Sequence, residues 1–437
     1  MALTVSQQRH FKQAVGQLGD RLSVVARHPI FNVNGIKILD QGARIDGSTY
    51  QLLMQHRLAA PIERSVGAHP CVTSESLRQG VESFIRETPF FGRIAAERAM
   101  RASLVAAVAG VPMPDPVGFQ LTVAHELYPA IYQHLLRTSL VCAWLTSHGT
   151  RSQFEMGQAA AAGLLHNLGM LHVDPALMQR ESVLDRGQRQ QLYTHALVST
   201  GLLEKYPQYD SSVVRAIAEH HECLDGSGYP RHLRGAEISV LGQTLSLSAV
   251  VATVFATGQP AAEVQLSVLL RMSAQRYDAA LVKKVTAHLR PGLDGGYPQS
   301  LLLDGAVGFL DEIDALLQRW PLKIASDAAV SERRRGALAS LHAQAAQILR
   351  AMAGGGVLSA QLSGIDPSTL DVAARTELSL VTREAAWQLR SLARLARRRW
   401  HAGADEAVPD ELQQWLEAAD GVFYRVTPGE LTDGLDT

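Results

Sequence analysis

The chain is poor in features that would place it in several common classes. Its three cysteines, Cys71, Cys142 and Cys223, are odd in number and far apart, which fits reduced thiols in a cytosol rather than a disulfide framework. No run approaches about 18 uninterrupted apolar residues, and the N-terminus lacks the apolar segment of a secretion signal. We therefore expect a cytoplasmic protein without a membrane span.

An excess of charge of either sign is also missing. The chain has 41 basic and 42 acidic side chains, so no overall field attracts a polyanion. A nucleic-acid-binding protein usually has a basic excess, and we therefore expect no nucleic-acid partner.

The length of 437 residues exceeds what one hydrophobic core usually serves, so several domains are expected. Apolar periodicity predicts a mainly α fold, with a small mixed α/β module at the N-terminus. The segment Phe31–Leu39 alternates apolar and polar residues around Asn34-Gly35, which predicts a β-hairpin with a two-residue turn. We predict four regions: an α/β module at 1–66, a helical linker at 67–117, a helical domain at 118–320 and a helical C-terminal domain at 321–437.

The densest group of chemically useful side chains is His220–Pro230, which reads HHECLDGSGYP. Adjacent helical histidines point about 100° apart, so His220 and His221 suit a site with broad access or more than one metal. The glycines and Pro230 that follow predict a rigid turn, with Tyr229 beside the histidine pair. The simpler interpretation is a helix that ends in a Gly-rich turn with hydrogen-bonded surface histidines.

This run resembles the signature of the HD-GYP family, bacterial phosphodiesterases that hydrolyse cyclic di-GMP at a two- or three-metal site. Three further segments are similar to family motifs and follow the same order: HLLRTSLV from His134, AAAAGLLHNLGMLHVDPALM around His166, and YTHALVSTGLL around His195. Four ordered motifs between His134 and Pro230 form a specific signal, although each alone is weak. The domain predicted at 118–320 is therefore expected to be HD-GYP-like.

The resemblance implies two groups of site residues. The expected metal ligands are five histidines: His134, His166, His195, His220 and His221. The expected ligand or partner loop contains Asp225, Gly226, Gly228, Tyr229 and Pro230, and in the family this loop can also contact diguanylate cyclase (GGDEF) domains.

Three positions depart from the family pattern. Asn167 stands where the family has a metal-bridging aspartate, and its amide carries no charge to offset two cations. Met170 stands in place of a lysine that is expected to help hold phosphate. The later aspartate of the family aligns with Ala249, and no acid occurs between Glu237 and Glu263.

The remaining histidines allow two interpretations. His195, His220 and His221 could hold one Zn²⁺, Fe²⁺ or Mn²⁺, with water in the open positions. Alternatively, the histidines persist as packing or hydrogen-bonding residues and no metal is bound. We interpret His172, which lies near these motifs, as an ordinary loop histidine.

Two functions follow from this pattern. The first is a degenerate HD-GYP-like signalling protein that binds cyclic di-GMP or a partner protein with little or no hydrolysis. The second is an active metal-dependent phosphodiesterase with an altered histidine-rich site, which produces pGpG or GMP. The sequence favours the first, because two acids and a lysine are replaced together. In the C-terminal region, we expect an arginine-rich helix to pair with an acidic helix of the same bundle. The alternatives are that the arginines form a docking surface for an acidic partner or nucleic acid, or that the region forms a homodimer.

Overall fold

The computed structural model describes residues 5–149, 152–178, 186–257, 261–292, 299–320, 332–401 and 408–427. The fold is mainly α-helical, as the sequence predicts. Contacts between residues group the chain into two compact units, one made of Met1–Thr257 with Gln275–His288 and the other of Gly258–Ala274 with Leu289–Leu431. The finer division into four regions stays a prediction. None of the described helices is both long enough and apolar enough to cross a membrane.

The N-terminal part of the first unit contains all four described strands. Its elements are α1 (Val5–Gly19), β1 (Ser23–Ala26), β2 (Ile30–Phe31), β3 (Lys37–Leu39), α2 (Gly47–Met54) and β4 (Val66–His69). Strand β1 pairs antiparallel with β4, and β2 pairs antiparallel with β3. The predicted hairpin is therefore present. The prediction of a two-residue turn is wrong, because residues 32–36 connect the strands. The Asn32 side chain accepts hydrogen bonds from the backbone N–H of Asn34 and of Ile36, which stabilises this wider turn.

The rest of the first unit is helical. Its helices are α3 (Ser74–Glu87), α4 (Pro89–Ile94), α5 (Arg98–Ala109), α6 (Asp115–Leu127), α7 (Pro129–Ser147), α8 (Gln153–Leu165), α9 (Pro175–Met178), α10 (Arg186–Tyr193), α11 (His195–Leu203), α12 (Ser211–Glu219), α13 (Val240–Val254) and α15 (Ala279–His288). Helix α13 has no charged residue and is buried along most of its length, as expected for a helix that is apolar on all sides. It packs against α7, α8 and α12, the three helices that lead to the site described below.

The second unit is a helical bundle. Its helices are α14 (Ala262–Met272), α16 (Ala306–Gln318), α17 (Glu332–Gly354), α18 (Ser359–Leu362), α19 (Val372–His401) and α20 (Asp410–Val426). Helix α19 packs against α17 and α20. Arg397 of α19 lies 2.8 Å from the carboxylate of Asp420 on α20, and the buried Arg390 guanidinium lies 4.1 Å from the Phe423 ring. These contacts show that arginines of α19 are used inside the bundle, as the sequence predicts.

Candidate metal centre

All five predicted histidines meet in one cluster within the first unit. His134 lies on α7, His166 ends α8, His195 begins α11, and His220 and His221 follow α12. The Nε2 atoms of His134 and His166 are 3.3 Å apart, and those of His195 and His220 are 3.4 Å apart. The rings of His166 and His220 join the two pairs, with centroids 4.9 Å apart. Residues that are widely separated in the sequence thus form one continuous patch of imidazoles.

A close backbone approach at Gly169 helps bring the cluster together. A Cβ atom at Gly169 would lie only 2.0 Å from the carbonyl oxygen of His195, so a larger residue would push the two segments apart. The Gly169 N–H instead donates a 2.8 Å hydrogen bond to the Ser199 hydroxyl. The glycine of the HNLGM segment therefore allows the chain after His166 to pack directly against the start of α11.

Three of the rings are oriented by the same kind of hydrogen bond, from Nδ1 to the carbonyl oxygen three residues earlier. The pairs are His166 with Gly163 at 2.8 Å, His195 with Leu192 at 2.6 Å, and His220 with Ile217 at 2.7 Å. A carbonyl oxygen can only accept, so each neutral ring carries its proton on Nδ1 and presents a lone pair at Nε2. Burial also lowers the pKa of His195 to about 4 and of His220 to about 3, which keeps both rings neutral near pH 7.

The geometry of three histidines fits a single divalent cation. The Nε2 atoms of His195 and His220 face each other at 3.4 Å although neither has a proton to donate. Two imidazole nitrogens bound to one tetrahedral cation at ~2.0–2.1 Å lie about 3.3 Å apart, which matches this spacing. His221 completes the group, with its Nε2 3.0 Å from that of His195 and all three ligand atoms within 4.8 Å of one another.

Glu219, the buried acid directly before the histidine pair, is hydrogen-bonded to residues outside the histidine cluster. Its carboxylate accepts hydrogen bonds from Arg215 at 2.7 Å and from the backbone and hydroxyl of Ser239 at 2.8 and 2.6 Å. Burial alone would raise the pKa of Glu219, but the bonds from Arg215 and Ser239 hold that pKa below its usual range. Its charge is therefore used to fix the start of α13.

Glu222, directly after the pair, has a similar structural role. Its two carboxylate oxygens accept the backbone N–H of Arg231 at 2.7 Å and that of Leu233 at 3.0 Å. These bonds fasten the chain that leaves the Gly-rich turn. The acids that flank the histidine pair in the sequence therefore stabilise the loop, and the cluster itself is built from imidazoles.

The structure also locates the three positions that depart from the family pattern. The Oδ1 atom of Asn167 is buried, and no described residue offers it a hydrogen bond, so this neutral oxygen is available as a ligand. Ala249 is buried on α13, the helix that packs against those leading to His134, His166 and His220. Met170 makes apolar contacts with a small buried cluster: Val173, Leu177 and Leu192.

The predicted ligand or partner loop is turned largely inward. Asp225 accepts hydrogen bonds from the backbone and hydroxyl of Ser227, Gly226 and Gly228 are buried, and Pro230 is exposed. A Cβ atom at Gly228 would lie 2.3 Å from the carbonyl oxygen of His221, which accepts the Tyr229 N–H at 3.0 Å.

This close approach folds Tyr229 back over the histidine pair. The Tyr229 ring stacks on the imidazole of His221 with centroids 4.5 Å apart and an interplanar angle of 16°. The sequence places Tyr229 beside the site, and the structure adds that its ring contacts a candidate ligand directly.

Sequence reasoning missed two residues near the site. The Tyr193 ring lies 4.2 Å from that of Tyr229, and its only sequence signal is its place two residues before His195. The interpretation of His172 as a loop histidine is wrong: it is buried in the 3₁₀ helix Leu168–His172. The His172 ring packs against Phe11 of α1, which is distant in the sequence, so no local pattern indicated the burial of His172.

Part of the chain matches a known domain family and known phosphodiesterases. Residues 113–281 match the family described as HD domain. The chain is 27% identical over 133 residues to 3'3'-cGAMP-specific phosphodiesterase 3 of Vibrio cholerae serotype O1, which is 30% of this chain and 29% of that protein. It is 31% identical over 121 residues to 3'3'-cGAMP-specific phosphodiesterase 1 of the same organism, 27% of each. The matched segments thus cover less than a third of these relatives.

Among solved structures, the chain is similar to Bd1817, a HDG"Y"P protein from Bdellovibrio bacteriovorus. The sequence identity is 14% and the TM-score is 0.33, over 61% of this chain and 93% of that one. The family match and the histidine cluster together define an HD domain at residues 113–281. The ordered motifs and the phosphodiesterases among the relatives support an HD-GYP family member.

Proposed function

We propose that this chain is a cyclic dinucleotide signalling protein whose histidine centre binds one divalent transition metal and whose hydrolytic activity is weak or lost. The observation that supports this most directly is the composition of the centre. His195, His220 and His221 converge, while the neighbouring acids Glu219 and Glu222 are bonded elsewhere. A bound divalent cation would supply positive charge for a phosphate group and would lower the pKa of a water molecule.

Among the described residues the histidine centre has no carboxylate, which favours one cation over two. A bridging aspartate places negative charge between two cations, whereas Asn167 offers only a neutral oxygen. Neutral imidazoles suit Zn²⁺ or Fe²⁺, and Mn²⁺ usually prefers oxygen ligands. We therefore expect a single site that attracts a phosphodiester but lacks the paired charges of a two-metal hydrolase.

The ligand class is supported by the relatives. The related Vibrio cholerae proteins are named 3'3'-cGAMP-specific phosphodiesterases, and the family signature implies cyclic di-GMP. Both are cyclic dinucleotides with two phosphodiester groups, so their shared chemistry defines the proposed ligand. A diguanylate cyclase (GGDEF) domain stays a predicted partner, and Pro230 is the exposed part of the loop that it would meet.

An active phosphodiesterase is the second candidate. The spacing of the three histidines, which suits one cation, favours it, as do the phosphodiesterases among the relatives. In that case, the histidine centre would cleave a cyclic dinucleotide to a linear dinucleotide or to mononucleotides.

One set of measurements on the purified full-length chain separates these functions. Metal content is determined first, and then 3'3'-cGAMP or cyclic di-GMP is incubated with the protein and Mn²⁺, Fe²⁺ or Zn²⁺ while products and binding are quantified. We expect close to one metal per chain, nucleotide binding and intact nucleotide. His220→Ala should lose the metal, whereas the exposed control His28→Ala should retain it.

Turnover of most of the nucleotide that His220→Ala abolishes would contradict our proposal and support the active phosphodiesterase. Absence of both metal and nucleotide binding would contradict both functions.

A further inference from the structure

His221 differs from its neighbours in how its ring is oriented. His166, His195 and His220 each have a backbone carbonyl at Nδ1, which fixes the ring plane. The Nδ1 of His221 is buried and has no hydrogen-bond partner in the described part of the chain. Another contact must therefore set the direction of its Nε2 lone pair.

The His221 ring also contacts His220, with centroids 3.9 Å apart at 42°, and His195, with centroids 4.9 Å apart at 87°, but its nearly parallel contact is with Tyr229. The imidazole of His221 and the ring of Tyr229 are nearly parallel, and the Tyr229 N–H is bonded to the His221 carbonyl oxygen. The backbone bond fixes the separation of the two residues, and the stacked rings limit rotation of the imidazole about its χ2 angle. Tyr229 thus restrains the His221 ring as a carbonyl oxygen restrains the rings of His166, His195 and His220.

Tyr229 is in turn held by Tyr193. Their ring centroids are 4.2 Å apart with an interplanar angle of 30°, and both side chains are half-buried. The three rings Tyr193, Tyr229 and His221 form a series, which we call the aromatic series. It runs from the end of α10 to the metal centre.

The start of this series lies next to another metal-centre residue. Tyr193 ends α10 and His195 begins α11, so only Thr194 separates them. His195 places its Nε2 3.0 Å from that of His221, while Tyr193 supports the ring that covers His221. One short segment therefore constrains His221 both at its ligand atom and, through Tyr229, at its ring face.

We propose that Tyr193 is a positioning residue of the metal centre, which holds Tyr229 against His221 and so directs the His221 Nε2 toward the cation. The inference rests on the proposed function, since it takes metal binding by the three histidines as given. The aromatic ring carries this role, and the phenol oxygen is not needed for it. Residues that orient metal ligands typically change metal affinity by roughly 10–100-fold when they are removed.

The test is a titration of the metal-free full-length protein with Co²⁺, followed by its visible absorption and by calorimetry. Tyr193→Leu should weaken Co²⁺ binding by about tenfold or more and alter the visible bands, because one imidazole is no longer fixed. Tyr193→Phe should restore both the affinity and the spectrum. Tyr206→Leu, which removes another half-buried tyrosine of the same unit, is the matched control and should bind Co²⁺ like the wild type.

The outcomes separate this inference from the proposed function. If the wild-type protein binds no Co²⁺, the proposed function fails and this inference fails with it. If the wild type binds Co²⁺ and Tyr193→Leu is unchanged, or if Tyr206→Leu is weakened equally, the role of Tyr193 alone is overturned. Should Tyr193→Leu fail to fold without metal, Tyr193→Met keeps the apolar bulk without a planar ring and is judged by the same criteria.

Discussion

The ring of Phe11 lies parallel to the imidazole of His172, with centroids 4.5 Å apart and an interplanar angle of 15°. Phe11 belongs to α1, and His172 ends the 3₁₀ helix that begins directly after Asn167. Both side chains are almost fully buried. This stack ties the N-terminal helix to the segment that leaves the histidine cluster, so α1 supports the fold around the cluster.

Phe11→Ala should therefore destabilise the protein strongly. Removing a fully buried phenylalanine leaves a cavity and typically costs about 3–5 kcal/mol of the free energy of unfolding, which denaturant titration measures. Phe154→Ala is the matched control, because Phe154 is 69% exposed and its loss should change the stability by less than ~0.5 kcal/mol. Equal effects of the two substitutions would show that the stack adds nothing.

Gly169→Ala should disturb both stability and metal binding. The added methyl group would meet the His195 carbonyl oxygen at 2.0 Å, and such overpacking costs about 1–3 kcal/mol. His166 and His195 would be forced apart, so metal content should also fall.

Gly157→Ala provides the comparison for that change. Gly157 lies on α8 with open space around its Cβ position, and alanine there should stabilise the helix by about 0.5–1 kcal/mol. Metal content measured for both variants would contradict the proposed close approach if Gly169→Ala retained full occupancy.

The buried Glu63 should make stability depend on pH. Burial raises the pKa of Glu63 above its ordinary value of 4.5, so the folded protein holds this proton at pH values where the unfolded chain has lost it. Stability should therefore fall as the pH rises from about 4.5 through the raised pKa, because the folded state binds more protons across that interval. Glu63→Gln should remove this part of the slope in unfolding curves recorded from pH 4 upward. If the pH dependence of stability is the same in Glu63→Gln as in the wild type, a group other than Glu63 causes it.

Restoring acids should increase metal occupancy. Asn167→Asp together with Ala249→Asp places negative charge at the two positions where the family has aspartate, and carboxylates bind hard cations better than amides do. Buried acids without a cation are costly, so the metal-free double variant should melt at a lower temperature and gain more from added metal than the wild type. Metal analysis and melting curves measure both effects. The control Asn34→Asp adds a charge at an exposed position and should change neither quantity. Unchanged metal occupancy in the double variant would mean that the alignment of Ala249 with the family's aspartate is wrong.

The sequence predicted those parts of the site that are local. His220 and His221 are adjacent in the sequence at a predicted helix end, and Gly228 and Pro230 predict the turn beside them. The mainly α fold and the β2–β3 hairpin also followed from periodicity and from Asn34-Gly35. The hairpin turn itself was missed, because the Asn32 side chain bonds two backbone N–H groups that residue propensities do not reveal.

The contacts that depend on tertiary packing could not be predicted in this way. Glu219 looks like a candidate ligand in a sequence, and only its bonds to Arg215 and Ser239 show that it holds the start of α13. Tyr193 and Tyr229 lie on different elements, so the contact between their rings depends on how α10 packs against the loop after α12. Long-range partners of this kind leave no periodic signal within a single sequence.

The 3.4 Å approach of His195 and His220 has a consequence for the whole fold. The two residues are 25 positions apart, and a cation held by both would act as a removable cross-link around the chain between them. Like any ligand that binds only the folded state, it would raise stability in proportion to the logarithm of its free concentration once that exceeds Kd. The melting temperature of this protein would then report the supply of metal in its surroundings, even where no nucleotide is cleaved.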